Sequence, residues 1–201
     1  MDDSLKKFIA ISATIIILIA MYLGAYLPLK KSQRYIGAIL AFQSNKIRSL
    51  QDFNATFDSV LNFYSPIGQD ETISYYFGIL ANVISHQDNK EMILALTERA
   101  EDLMEPVIKA GKGFGYSQNL YNFAVFYKIA ALKLESDVYL QKSIDLFNEG
   151  LKNSPGRYIF LEGLFDLYRI KGDTAKMKEI GGTILKHWPD KENVKQALET
   201  L

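Results

Sequence analysis

Residues 8–29 read FIAISATIIILIAMYLGAYLPL, 22 positions without a charged side chain, bracketed by Lys6 and Lys7 on one side and by Lys30, Lys31 and Arg34 on the other. A helix of that length is about 33 Å long, enough for the roughly 30 Å of hydrocarbon in a bilayer. The segment is expected to be a transmembrane helix, 8–29, preceded by a short tail, 1–7. Tyr26 lies near one end of the span, where an amphipathic ring prefers the membrane interface. Together with Lys6, Lys7, Lys30, Lys31 and Arg34 it makes up the expected membrane-interface set. Two other readings compete. A cleaved signal peptide could use the small residues of 20–25, but the run exceeds the roughly 7–15 apolar residues usual for one. A buried core helix should keep a polar face, and this stretch offers only Ser12 and Thr14.

Orientation is weighed on two counts that disagree. Lys6 and Lys7 precede the span, while Lys30, Lys31, Arg34, Lys46 and Arg48 follow it, which by the positive-inside tendency argues for a cytoplasmic C-terminal part. The general habit of N-terminal anchors to leave a short lysine-bearing tail inside argues the opposite.

After Arg34 no useful stretch shows apolar alternation, whereas apolar residues recur at spacings of three and four. The remainder is expected to be all helical, with helices at 32–45, 50–64, 71–85, 90–110, 117–134, 137–153, 157–171, 174–187 and 191–201. The breaks are chemically explicit: Ser65-Pro66-Ile67-Gly68, Gly111-Lys112-Gly113-Phe114-Gly115, Asn153-Ser154-Pro155-Gly156, Lys171-Gly172-Asp173 and Trp188-Pro189-Asp190 supply helix-stopping Gly and Pro and capping polar groups. Pro155 and Pro189 are 34 residues apart, each closing a second helix. One unit carries Tyr127, Ala130, Ala131, Leu134, Ser143, Phe147 and Pro155; the next carries Leu161, Leu164, Phe165, Tyr168, Met177, Gly181 and Pro189.

That spacing resembles the tetratricopeptide repeat, a helix pair with large-x2-Leu-Gly-x2-Tyr, then Ala-x3-Phe, then Pro. The last unit departs from the pattern at Phe165 and Met177, where the family prefers small residues, and at Gly181, where it prefers an aromatic; packing there is expected to be looser or rearranged. Pro66 and Pro155 are 89 residues apart, which is no multiple of 34, so the middle hairpins are elongated and degenerate. The resemblance implies an α-solenoid of about four hairpins over 30–190, closed by a C-terminal capping helix, 191–201, with Val194, Leu198 and Leu201 on one side. A broader likeness covers the whole chain. The apolar helix ending Leu-Pro-Leu, the Phe-rich hairpin, the run Ser65-Pro66-Ile67-Gly68-Gln69-Asp70-Glu71-Thr72 and the later Asn153-Ser154-Pro155-Gly156-Arg157 resemble the tail that follows the last membrane helix in O-antigen ligase and polymerase family proteins. This likeness is one of pattern without a catalytic motif, and it implies a repeat domain outside the cytoplasm.

Chemistry is sparse. The 23 basic and 23 acidic residues balance, and no cysteine is present, so a nucleic-acid footprint, a disulfide framework and a thiolate centre are all excluded. Past Arg34 there remain 18 basic and 21 acidic residues once the five basic and two acidic ones up to that point are set aside. His86 and His187 sit near helix ends and read as surface or dipole-complementing groups. No metal-ligand spacing is seen, and no metal or cofactor is expected. Gly111, Gly113 and Gly115 follow a helix rather than a strand, so they read as a turn and not as a phosphate cradle. Ser65 and Ser154 read as turn residues, Asp70, Glu71, Asp137 and Asp173 as helix-start acids. Asn54-Ala55-Thr56 is a glycosylation sequon in form only.

The aromatics say more. Tyr75, Tyr76 and Phe77 are consecutive and cannot all face one core from a helix. A second group comprises Phe114, Tyr116, Tyr121, Phe123, Phe126 and Tyr127. First helices of stacked hairpins line a concave face, which makes Tyr75, Asn82, Asn119, Asn122, Lys128, Glu162, Asp166 and Arg169 the candidate partner-binding residues. Mixed charge at Lys128, Glu162, Asp166 and Arg169 argues against capture of an acidic tail. The expected function is a membrane-tethered protein-interaction scaffold, not an enzyme and with no catalytic residues, whose partner is a protein associated with the same bilayer. The alternative is an accessory or detached portion of a surface-glycan ligase or polymerase system.

Overall fold

The computed structural model describes every residue except Met1, Asn45, Arg48 and Phe114. Sequence expectations resting on Phe114, on Arg48 and on a helix end at Asn45 therefore fall outside the described residues. All regular structure among the described residues is helical, in two compact units, 1–73 and 74–201.

The first unit opens with one continuous helix, Asp3–Gln43, made of α1 (Asp3–Met21), a π-helical turn (Tyr22–Tyr26) and α2 (Leu27–Gln43). Sequence reasoning placed a break here and began a new helix at residue 32. The structure runs straight through. Pro28 has no N–H for the carbonyl four residues back at Gly24, and its ring crowds that carbonyl; the π turn centred on Gly24 widens the backbone there and carries the proline without a break. The apolar window of this helix is long and apolar enough to cross a membrane, and none of it is buried within the structure. A buried core helix is thereby removed as a reading of the segment.

Helix α3 (Leu50–Leu61) packs back on α2. It starts where the Ser49 hydroxyl accepts from the Asp52 amide at 3.0 Å, a cap that replaces one missing intrahelical bond. Phe53, Phe57, Val60 and Leu61 form its buried stripe, the three- and four-residue spacing of a half-buried helix. The turn 62–68 leads to α4 (Gln69–Ser85), and Gly68 takes φ +87° there, a value that only a residue without Cβ adopts freely.

The second unit holds the rest of α4 with α5 (Lys90–Ala110), α6 (Tyr116–Leu134), α7 (Asp137–Asn153), α8 (Tyr158–Lys171), α9 (Thr174–His187) and α10 (Glu192–Glu199). Four of the five sequence breaks coincide with these helix junctions, and the fifth, 65–68, precedes α4. Asn89, Ser136 and Asp173 cap α5, α7 and α9 through their side chains, while Gly111 and Gly172 close α5 and α8 in the left-handed conformation. Each helix from α5 to α10 packs against the next in the chain.

Close approach of α7 and α8 is built from aromatic rings seated over glycines. A Cβ on Gly163 would lie 2.4 Å from the Phe147 ring, and one on Gly150 would lie 2.1 Å from the Phe160 ring. The two rings meet edge-on at 6.3 Å, a favoured quadrupolar geometry. Between α8 and α9 the sizes are exchanged: Phe165 sits 3.0 Å from where a Gly181 Cβ would stand, with Leu198 of α10 at 2.9 Å. The departures from the repeat pattern at Phe165 and Gly181 thus compensate one another, and the packing is rearranged rather than loose. Helix α10, too short to hold itself in water, is fixed by Val194, which is buried in a cluster with Leu161, Phe165, Met177 and Ile184. Leu198 packs on that cluster, whereas Leu201 lies beyond the helix and is exposed.

Candidate functional site

Helices α6 and α8 each present one edge to a cavity of about 300 Å³ that α10 closes from the side. Its floor is apolar, from Tyr121, Val125, Phe147, Ile159 and Phe165, and its rim carries Lys128, Glu162, Asp166, Arg169 and Asn193. Helical spacing makes the rim. Glu162, Asp166 and Arg169 recur at four and three residues and share one face of α8. The floor exists because Gly163 has no side chain: the Phe147 ring enters the space and leaves a depression above it.

Three of the four rim charges pair with one another. Lys128 Nζ donates to Asp166 Oδ2 at 2.8 Å, and Arg169 donates to the other carboxylate oxygen of Asp166. Burial alone would raise the Asp166 pKa, but the bond and charge of Lys128, with Arg169 beside it, hold the carboxyl below its ordinary range. Across the rim Tyr158 donates to Glu162 at 2.9 Å; burial first, and then the Glu162 carboxylate, push the phenol up to about 12. Tyr158 also meets Trp188 edge-on at 5.1 Å and carries the Lys191 ammonium 4.2 Å above its ring. The arrangement offers a mixed-charge edge over an apolar floor.

Of the eight groove residues expected from sequence, Lys128, Glu162, Asp166 and Arg169 line this cavity together. The other four do not. Tyr75 and Asn82 are exposed on α4; Tyr75 is 63% exposed while its neighbours Tyr76 and Phe77 are fully buried, as the consecutive aromatics required. Asn119 corrects the expectation: it is 0% exposed, and neither its side-chain nitrogen nor its oxygen has a partner. It lies on the stripe of α6 that includes Leu120, Phe123 and Tyr127 and that is buried among aromatics. Asn122 is a correction as well, because its amide donates to the Ser74 hydroxyl at 2.6 Å and to the Ser74 carbonyl at 3.1 Å. It ties α6 to α4 rather than offering itself to a partner. Gln118 and Arg157 extend that network, at 3.2 Å to Asn122 and 2.8 Å to Gln118.

Sequence reasoning missed a second cluster. Glu101 Oε1 accepts from the Tyr127 hydroxyl and from Lys142 Nζ, both at 2.6 Å, and Lys142 stands 5.4 Å and 5.3 Å above the rings of Tyr127 and Tyr139. Burial opposes the Glu101 charge, but the two donors and the Lys142 charge bring its pKa below the ordinary value; burial, and then Glu101, drive that of Tyr127 upward. The only sequence signal was a tyrosine spaced to face the second helix, and it named no acid. A cavity of about 740 Å³ between α5, α6 and α7 has Tyr127 and Lys142 on its wall.

Along the long apolar helix the expected interface set divides. Lys6 pairs with Asp3 at 3.0 Å, and Lys7 and Lys30 are exposed. Tyr26 stacks on Tyr22 at 5.4 Å with Lys30 at 5.8 Å. Lys31 and Arg34, expected at the membrane interface, differ: Lys31 is turned into the protein, whereas Arg34 is exposed. Lys31 is 3% exposed and donates to the Phe63 carbonyl at 3.0 Å and to the Gln69 side-chain oxygen. Arg34 donates to the Ser59 carbonyl at 3.0 Å and lies 4.3 Å over the Phe63 ring. The reason is angular: on a continuous helix Leu27, Lys31, Arg34 and Ala38 share the face turned toward α3. There the two cations meet the carbonyls at the end of α3, which carry the negative pole of that helix.

His86 and His187 stand at the ends of α4 and α9 and are exposed. Among the described residues no group of three potential metal ligands is found. Asn54 of the sequon is half-buried within α3. Comparison with models of known families, with curated proteins and with solved structures finds no match for this chain. The class that the fold defines is thus an all-helical protein with one helix long and apolar enough to cross a membrane.

Proposed function

We propose that the chain is a membrane-tethered interaction module: residues 8–29 cross the bilayer, and the hairpins of the second unit form a short tetratricopeptide-like solenoid that holds a protein partner. The observation that carries this reading is the cavity between α6 and α8, where four residues picked for a concave face ring an apolar floor. Hydrogen-bonded charges around an open depression with apolar side chains at its base give a polar rim and an apolar centre, the usual anatomy of a binding patch. Tethering favours such a module. Confinement to the bilayer raises the effective concentration of a membrane-associated partner, so a modest interface suffices. The last two hairpins support the solenoid reading through their 34-residue spacing and their glycine-seated rings.

The test is site-specific photocrosslinking in intact membranes from Glu162 on the rim, with Val138, exposed and outside the cavity lining, as the control. A protein captured from Glu162 but not from Val138, and lost when Arg169→Glu reverses a rim charge, supports the reading. Equal capture from both positions, or none, removes it. A captured polytopic glycan-transfer enzyme would narrow the partner to a surface-polymer assembly system.

A further inference from the structure

The turn between α3 and α4 is held at a known height on the long helix. Lys31 Nζ bonds the Phe63 carbonyl at 3.0 Å, and Gln69 bonds both Lys31 and, at 3.2 Å, the Leu61 carbonyl. Lys31 is only two residues past the end of the charge-free run, about 3 Å along the helix axis. An open cavity extends from the turn toward the span. It measures about 520 Å³ and is lined by Tyr22, Leu23 and Leu27 of the span together with Phe63 and Tyr64 of the turn. Tyr22 and Leu23 lie roughly 10 Å inside the end of the run at Leu29. Leu27, within the run, is itself buried, so protein and not lipid covers this part of the span.

The bonds to Lys31 hold the turn about 3 Å beyond the end of the run, which lies in the interfacial layer of any bilayer the helix crosses, since that layer adds about 5–8 Å on each side of the hydrocarbon. The side chains of the turn suit the place. Tyr64 is 71% exposed and Ile67 59%, and Pro66 between them is also exposed. The polar side of the cavity, Arg34, Asp58 and Asn62, lies toward the aqueous end of the helix, so the polarity of the wall changes in the same direction as that of a bilayer surface. Charged residues return only at Asp70 and Glu71, in the first turn of α4.

We infer that the turn 62–68 is a second membrane contact, which dips Tyr64, Pro66 and Ile67 into the interfacial layer of the bilayer that residues 8–29 cross. The partner of this surface is the lipid interface itself. Two contacts of unequal depth fix the tilt of the helix and the height of the first unit above the membrane, which a single helix leaves free. Lys31 is then a structural strut between the contacts, and its burial away from the headgroups follows from that role.

The inference rests on the transmembrane reading, and the experiment separates the two. The chain has no cysteine, so single cysteines can be placed in the full-length protein at Ile16, Ile67 and Leu40, all exposed, and labelled with a nitroxide after reconstitution into phosphatidylcholine–phosphatidylglycerol vesicles. Collision rates with oxygen, which concentrates in lipid, and with a water-soluble nickel chelate give the depth of each label. The expected order is Ile16 deepest, Ile67 at the interface with nickel access several-fold below that of Leu40, and Leu40, about 16 Å past the run along the helix, in water. Ile67 as accessible to nickel as Leu40, with Ile16 deep, overturns the inference and leaves the anchor standing. Ile16 in water overturns the anchor and the inference with it.

Discussion

The ring of Phe147 lies 2.4 Å from the position that a Cβ on Gly163 would take, so the contact between α7 and α8 depends on a missing methyl group. Gly163 also floors the cavity flanked by Lys128 and Asp166. One absent side chain therefore serves both packing and site. Phe147 has no easy retreat, since Tyr121 and Phe160 meet its edges at 6.0 Å and 6.3 Å.

Gly163→Ala is expected to destabilise the protein by about 1–3 kcal/mol, the usual cost of overpacking, despite the gain of up to about 1 kcal/mol in helix propensity. Gly182 is the matched control, because a Cβ there meets nothing within 4 Å. Gly182→Ala is expected to stabilise by up to about 1 kcal/mol. Chemical denaturation of both variants checks the pair: a shift of the same sign in each would contradict the packing account.

Asn119 holds a fully buried amide with no partner at either end. An unsatisfied buried polar group costs about 1–3 kcal/mol, and leucine keeps the same branched four-heavy-atom side chain without polar atoms, though its methyl groups take more room. Asn119→Leu is expected to raise the melting temperature by several degrees. A fall would mean that the amide is satisfied by an internal water.

Two carboxylates contribute to the acid limb of stability. Asp166 and Glu101 have folded pKa values below their ordinary 3.8 and 4.5, so the unfolded chain binds protons more readily and stability falls as the pH drops through the folded values. Above the ordinary values the contribution is complete. Both ion pairs are partly solvated, which makes each contribution modest. Asp166→Asn is expected to flatten the acid limb of a melting-temperature profile; an unchanged limb would show that the Lys128 pair contributes nothing.

Lys31 acts in the opposite range. Burial lowers its pKa from 10.5, and the acceptors that its ammonium bonds are the neutral oxygens of Phe63 and Gln69. Between the lowered value and 10.5 the unfolded chain again binds more protons, so stability should rise with pH in that window. Lys31→Met should remove the rise, measured by melting of the full chain in detergent micelles. Persistence of the rise in that variant would assign it to another group.

Sequence by itself determined the helices. Proline, glycine and capping residues act within a few positions, and the ends of α5, α7 and α9 at Lys90–Ala110, Asp137–Asn153 and Thr174–His187 agree with the residues read from those signals alone. The charge-free run was equally plain, because length and composition suffice to recognise a segment that can span. Half of the candidate groove was legible for the same reason: Glu162, Asp166 and Arg169 share a face by spacing, whatever lies beside them. Tertiary structure decided the rest. Pro28 passes through a helix because a π turn absorbs it, and Phe165 fits because Gly181 makes room. Asn119 and Asn122 turn inward, and Lys31 is buried against the end of α3. Each of these depends on which element lies across from the residue, a relation between distant positions that periodicity along one helix does not contain.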